Sequence, residues 1–196
     1  LIKLSCPPVM MEHQIRPLLN QFLKDHPHVD VEMELTSRRV DVLHDDIDLA
    51  IRTNFGVNED SSIIVRDVVK TTHCLVISPE LLQGRTIEHV TQINDYPTIV
   101  LGTQKAHYHW HLHNLKYQDE IKILLEPRIK SNDLAGVYYA VLDGLGIADL
   151  PYLTVKEDIE AGRLIHLLPD WCSNLGTVQL VYSSRKGQRL VMEKLI

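Results

Sequence analysis

Histidine recurs at every second position in His107-Tyr108-His109-Trp110-His111-Leu112-His113, the densest concentration of ligand-capable side chains in the chain. Alternate residues of a strand share a face, so as a strand this run puts all its imidazoles on one side. Tyr108, Trp110 and Leu112 then take the other. Such a ladder can bind zinc or nickel, or sense pH as imidazole charges at about pH 6–7. On a helix only His107/His111 and His109/His113 pair, at i,i+4. The plainer alternative is a wetted strand face covering an apolar one. The run has no neighbouring Cys, Asp or Glu to complete a typical site. No metal is therefore assigned, and His107, His109, His111 and His113 stand only as a possible ligand set.

Cys6 sits just before Pro7-Pro8, where a helix is expected to start. A thiol near a helix N-terminus has a lowered pKa and more thiolate, so Cys6 could sense oxidants or electrophiles. Against that stands the reading of a small apolar wall residue. Cys74 lies in an apolar run and reads as core. With Cys172 the cysteines are odd in number and widely spaced, which is neither a disulfide framework nor a zinc knuckle. Reduced thiols in the cytoplasm are expected. Gly-x-Ser-x-Gly, a Walker loop and His-Glu-x-x-His are absent, and Asp45-Asp46 has no evident partner nucleophile, so no enzyme activity and no cofactor are expected.

These side chains must be positioned by elements whose periodicity alternates along the chain. Leu1 to Ser5 reads as a strand. Met11, Ile15, Leu18, Leu19, Phe22 and Leu23 follow at helical spacing, ending near His26-Pro27. Val29 to Leu35 alternates as a half-wet strand, a short helix is expected around Arg39 to His44, and Ile47 to Arg52 suits a buried strand. This β-α-β-α-β order predicts a parallel sheet with helices on its faces. Ile63 to Val65 with Val68-Val69, and His73 to Ile77, read as further strands. Helical stretches near Glu80–Leu82 and Ile87–Ile93 precede a strand at Thr98–Leu101 and a β-rich segment over 107–130. Ser131-Asn132-Asp133 caps a helix over Leu134–Leu142. Gly144 and Gly146 lead into a strand at Ile147-Ala148, and Pro151 opens the next helix. Leu164 to Leu168 reads as a strand, 171–176 as a loop, Val178 to Tyr182 as the last strand and 190–196 as the last helix. Two interleaved α/β lobes fit this pattern better than one continuous sheet.

The chain of 196 residues has 44 % hydrophobic and 23 % charged residues, which are ordinary globular values. Lys plus Arg number 20 against 26 Asp plus Glu, a formal charge of −6, so unaided gripping of phosphate backbones is disfavoured. No apolar stretch is long enough to cross a bilayer, and no signal-peptide pattern opens the chain. The sequence starts without Met inside an apparent strand and stops within an apolar helical pattern, which reads as a piece of a longer protein.

Five islands resemble one family. They are Pro17-Leu18-Leu19-Asn20-Gln21-Phe22 through Pro27-His28-Val29; Asp46-Ile47-Asp48-Leu49-Ala50-Ile51-Arg52; and Leu75-Val76-Ile77-Ser78-Pro79-Glu80-Leu81-Leu82. The others are Asp143-Gly144-Leu145-Gly146-Ile147-Ala148-Asp149-Leu150-Pro151, and Gly162-Arg163-Leu164 with Leu167-Leu168-Pro169-Asp170-Trp171. In order and spacing, across almost the whole chain, they resemble the effector-binding domain of LysR-type transcriptional regulators. His107–His113 and the loop around Cys172 depart from the family pattern.

The resemblance implies an α/β fold of two Rossmann-like lobes of the type 2 periplasmic-binding-protein kind, joined by two crossover strands. Lobe I would be 1–71 plus 177–196 and lobe II 72–176. A winged helix-turn-helix would precede this chain in the native protein, and promoter DNA would be bound only through it. A small, anionic metabolite would sit in the inter-lobe cleft and alter oligomer geometry. Ligands in open α/β sheets sit beyond the carboxyl ends of strands, and helix N-termini there attract anions. Ser5, Cys6, Pro7, Thr53, Gly102, Thr103 and Asn132 are the expected contacts. Arg52 is expected in an ion pair inside the fold. A homodimer or homotetramer is implied, the helix near Met11–Leu23 packing antiparallel on that at Leu134–Leu142 of another subunit, with no membrane partner. Two alternatives remain: a solute-binding protein serving a transporter, and a metal or pH sensor working through His107–His113.

Overall fold

The computed structural model describes residues 1–56, 62–102, 107–183 and 195. The chain divides into two compact units, Leu1–Thr71 with Gly176–Ile196 as unit 1, and Thr72–Leu175 as unit 2.

Unit 1 is built on β1 (Ile2–Cys6), whose Ile2, Leu4, Ser5 and Cys6 are all buried. It pairs in parallel with β2 (Val31–Leu35) on one side and β3 (Leu49–Asn54) on the other. β12 (Leu175–Ser183) runs antiparallel to β3, and β4 (Ile63–Ile77) follows it, giving the order β2-β1-β3-β12-β4. β2 is the edge, and after Val31 its residues are exposed.

Between β1 and β2 the chain is helical without a break: α1 (Pro8–Met10), a π-helical turn (Met11–Ile15) and α2 (Arg16–Asp25). The π turn has a local cause. The Arg16 N–H reaches back to Met11 O, and the next residue, Pro17, has no N–H to continue the ladder. The buried residues Val9, Met11 and Leu19 face the core, whereas Leu18 is 70 % exposed.

The helix expected over Arg39–His44 does not form. Val40 and Val42 are both buried, a spacing of two that a helix cannot place on one face. Instead the chain turns at 42–44, where Asp41 accepts from Leu43 N at 2.9 Å and Asp45 accepts from Asp41 N at 3.0 Å. The separate strands expected over 63–77 are one strand, β4, which crosses from unit 1 into unit 2 between Thr71 and Thr72. The chain leaves unit 2 at Leu175, the first residue of β12.

In unit 2, β5 (Thr98–Leu101) lies parallel to β8 (Ile129–Ser131) and β9 (Ile147–Pro151). β4 pairs antiparallel with β9 and with β10 (Ile165–Leu167), so the order is β10-β4-β9-β5-β8. Alternation along β4 divides the core. Cys74 and Val76 face α4 (Leu134–Leu142) and α5 (Tyr152–Glu160), meeting Val137, Val141 and Val155. Leu75 and Ile77 face the opposite way, onto Tyr108, Trp110, Leu112, Ile123 and Leu125.

Those residues come from a second sheet of β6 (Tyr108–Asn114), β7 (Glu120–Leu125) and β11 (Trp171–Cys172). The loop expected at 171–176 therefore holds a two-residue strand on β6. The helical stretch expected near Glu80–Leu82 forms as α3 (Pro79–Leu82), and that expected near Ile87–Ile93 is a 3-10 helix shifted to Val90–Asp95. Pro151 is the N-cap of α5 rather than its first helical residue. The helix expected at 190–196 lies outside the described residues except for Leu195.

Candidate functional site

The strand ends carry most of the expected contacts. In unit 1, Ser5 and Cys6 close β1 and are 3 % and 0 % exposed. Pro7 caps α1, and Pro8 follows, so the first helical residues with a backbone N–H are Val9 and Met10. By register Ser5 lies opposite Ala50 of β3, so Thr53 extends three residues past it along the parallel neighbour. Phe55 follows, and its ring edge and the Thr53 methyl close over Gly176: a Cβ there would lie 2.7 Å from Phe55 Cε1 and 2.9 Å from Thr53 Cγ2. Phe55 was missed from sequence; only the side-chain-free Gly176 hints at what packs on it.

In unit 2 the structure brings Gly102 and Asn132 to the same end of neighbouring strands. Leu101 pairs with Ser131, and the Gly102 N–H donates to Ser131 O at 2.6 Å. Gly102 holds φ +111°, a region an L side chain rarely adopts, and the space where a Cβ would stand is open. Asn132 is exposed. Thr103 lies outside the described residues.

Asp133, not Asn132, caps α4. Its carboxylate accepts from Ala135 N at 3.3 Å and Gly136 N at 3.2 Å, so these amides already have an anion of the chain's own. Ser131 Oγ supports the turn, accepting from Asp133 N and donating to Asp133 O, both at 3.0 Å.

Of the two readings of Cys6, the buried position favours the small apolar wall over the sensor. Burial pushes its thiol up to about 12, which disfavours the thiolate. Cys74 is core as expected, its thiol also raised to about 12 by burial and by the nearby Asp149. Cys172 is raised by the same causes. All three cysteines are free. The Arg52 guanidinium donates to the Val40 carbonyl at 3.3 Å, tying β3 to the 39–44 turn. Asp45 and Asp46 are engaged too, by Arg38 at 2.6 Å and Lys3 at 2.7 Å.

Unit 2 gathers Ser173, His73 and Asp149, residue types that in another order make a hydrolase. Here Ser173 Oγ donates to Asp149 Oδ2 at 2.5 Å, and His73 Nδ1 lies 3.3 Å from the same oxygen. The hydroxyl faces a carboxylate instead of an imidazole, so the arrangement cross-links β4, β9 and the segment after β11 without activating a nucleophile.

The histidine run forms the strand its alternation implies. Tyr108, Trp110 and Leu112 are buried, while His109 and His111 are exposed and His113 is half-buried. His107 precedes the strand. The expectation that no acidic residue stands near is overturned: Glu120 of β7 lies opposite His113. Its Oε2 is 3.1 Å from His111 Nε2 and its Oε1 is 3.2 Å from His113 Nδ1. The signal was present in the alternation of Glu120, Lys122 and Leu124 against Ile121, Ile123 and Leu125. It becomes specific only once the turn fixes the register.

Two α/β units linked through strands, each built on parallel strands flanked by antiparallel ones, match the type 2 periplasmic-binding-protein fold. A computed comparison agrees on the class and narrows it: the LysR substrate binding domain matches residues 1–196. The chain belongs to that family, the effector-binding regulatory domain of LysR-type transcriptional regulators. An uncharacterized HTH-type transcriptional regulator of Haemophilus influenzae is 28 % identical over 173 residues, covering 88 % of this chain and 59 % of the relative. The regulatory domain of AphB from Vibrio vulnificus superposes with a TM-score of 0.81 at 25 % identity, over 99 % of this chain and 95 % of that one. Full-length AphB of Vibrio cholerae, a virulence activator, shares the fold with a TM-score of 0.83 at 22 % identity, over 99 % of this chain and 65 % of that one. The chain thus spans less than two thirds of the length of the curated relatives it matches first. No helix among the described residues is long and apolar enough to cross a membrane.

Proposed function

We propose that this chain is the sensory part of a DNA-binding transcriptional regulator of the cytoplasm. It binds a small metabolite through Ser5, Cys6, Pro7 and Thr53 of unit 1 and through Gly102, Thr103 and Asn132 of unit 2. The observation that carries this reading is Gly102. Its amide is anchored to Ser131, its φ is left-handed, and the space above it is open, beside an exposed Asn132 amide. Thr53 and Asn132 would orient the ligand through hydroxyl and amide, and the buried Ser5 and Cys6 would form the floor. An anionic ligand is favoured by unit 1 alone, through the first helical N–H groups. In unit 2 the Asp133 carboxylate holds the corresponding position and selects against a second negative charge there.

The chain works through binding, not catalysis, and through a second copy. Leu18 on α2 and Tyr139 on α4 are 70 % and 51 % exposed, on the two helices proposed to pair antiparallel between subunits in a homodimer or homotetramer. Promoter DNA is contacted through a separate N-terminal winged helix-turn-helix. A ligand shifts the oligomer's geometry only by its affinity difference between the arrangements.

The test is a thermal-shift screen of metabolites against this chain, followed by calorimetry on Thr53→Val and Asn132→Ala. A hit should lose about five- to thirtyfold in affinity in each, since a hydrogen bond to a ligand is worth on the order of 1–2 kcal/mol. Affinity unchanged in both variants overturns the site. The rival reading, a transporter's solute receptor, has no specific support in the observed geometry.

A further inference from the structure

The small sheet of unit 2 carries a cluster that effector binding does not use. One ring nitrogen each of His111 and His113 and a carboxylate oxygen of Glu120 all lie within 4.8 Å of one another. The two imidazoles are tilted 47° to each other with centroids 4.5 Å apart, and the carboxylate divides its oxygens between them. We propose that His111, His113 and Glu120 form a binding site for a divalent late first-row transition cation, with zinc its natural probe.

Three features support the assignment. Bonds of about 2.0–2.2 Å in a tetrahedral shell set neighbouring donor atoms about 3.3–3.5 Å apart, and each ring nitrogen already stands near that distance from one of the two Glu120 oxygens, 3.1 Å for His111 and 3.2 Å for His113. Rotation of the carboxylate and a closer approach of the rings bring one oxygen and both nitrogens onto a single ion. The donor set of two nitrogens and one oxygen suits zinc and its neighbours rather than calcium or magnesium, and it leaves a fourth position for water or a further ligand.

The platform is also fixed before any ion arrives. Tyr108, Trp110 and Leu112 lock the opposite face of β6 in the core. The connection to β7 is held by Asn114, whose Oδ1 accepts from Lys116 N at 2.9 Å and Tyr117 N at 3.1 Å, and whose own N–H donates to Asp119 O at 2.7 Å. That closure sets Glu120 opposite His113. Lys122 lies opposite His111 and is the one cation on the neighbouring strand that opposes the charge of an ion. Its long exposed stem can turn the ammonium into solvent. His109, which lies on the same face, is not among the three ligands.

The experiment is calorimetric titration of this chain with zinc alone, repeated with cobalt(II) while its visible absorption is followed. One saturable equivalent is expected, with the intense cobalt bands of a four-coordinate site, reversed by a chelator. The double variant His111→Ala/His113→Ala should abolish binding, Glu120→Gln should weaken it at least tenfold, and His109→Ala should leave it unchanged. Melting temperatures of the metal-free variants, all altered on an exposed or half-exposed face, report that the fold is retained. Absence of saturable binding overturns the proposal. So does equal affinity in all variants, which assigns the ion to others of the 11 histidines. The site is independent of the effector reading, and neither outcome bears on it.

Discussion

Single residues in this domain behave according to what surrounds them more than according to type. Asp158 is 2 % exposed yet accepts from Tyr138 OH at 2.8 Å and Arg163 Nε at 2.6 Å, and the Tyr138 hydroxyl is pushed up by burial and then by that carboxylate. Replacing Asp158 with Ala removes the acceptor of the Tyr138 hydroxyl and the partner of the Arg163 guanidinium, and urea unfolding should register a loss of about 3 kcal/mol. Tyr138→Phe removes one donor while Asp158 keeps Arg163, and should cost about 1 kcal/mol. A thiol reagent should label none of Cys6, Cys74 and Cys172 in the native protein within minutes and all of them after denaturation, because burial withholds both access and thiolate.

His166 gives the residue scale a pH dependence. Half burial lowers it below its ordinary value of 6.5, so the folded protein resists protonating a ring that the unfolded chain protonates readily. The unfolded state then binds more protons as pH falls through about 6.5, and stability present above that pH is lost below it. His44 has the opposite sign, raised by Asp41, but this pair is solvent-exposed and weak. The melting temperature should therefore fall between pH 7.5 and 5.5, and His166→Gln should flatten the fall. A slope unchanged by that substitution would place its origin elsewhere.

At the scale of elements, close packing rather than propensity decides which changes are tolerated. A Cβ on Gly146 would stand 2.8 Å from Pro97 O, a backbone atom that cannot swing aside, and 2.9 Å from Ile99 Cγ1. Gly146→Ala should cost about 2–3 kcal/mol in thermal or urea unfolding, because β9 must shift off β5. Gly176→Ala instead meets the Phe55 ring and Thr53, side chains at a proposed ligand contact. It should weaken effector binding more than it lowers stability, as calorimetry beside a melting curve would reveal.

The same contrast explains what could be read beforehand. The helices α2, α4 and α5 and the strands β1, β3 and β5 were legible because each shows one periodicity over enough residues. The 39–44 turn was not, since Val40 and Val42 are buried by tertiary contacts that a local pattern does not specify. Trp171-Cys172 joins a sheet through a partner nearly sixty positions away, Asn114 and His113. Of the candidate site, Gly102 and Asn132 were visible as a glycine and a cap neighbour. Their adjacency needed the register of β5 on β8. Glu120 escaped because its relevance depends wholly on which histidine it faces across a turn.

For the whole molecule, the charge of −6 and the exposed Leu18 and Tyr139 are compatible with a domain that meets copies of itself rather than nucleic acid. If the proposed antiparallel helix pairing holds, Leu18→Glu should convert the domain to a monomer in sedimentation velocity while leaving its far-UV circular dichroism unchanged, since the side chain is mostly in solvent within a single chain. An unaltered sedimentation coefficient would remove α2 from the interface.

Unit 1 takes strands from both flanks of unit 2, which is inserted between them. During synthesis β1, β2 and β3 emerge first, yet the strand that covers the open side of β3 emerges only after all of unit 2. Unit 2, a continuous stretch, can complete its core while the ribosome is still working. The older half of the domain must wait, with β3 unpaired along one edge, until the final strand is released. A stop codon before β12 would therefore leave a finished inner unit tethered to an unfinished outer one, exposing an edge that invites aggregation.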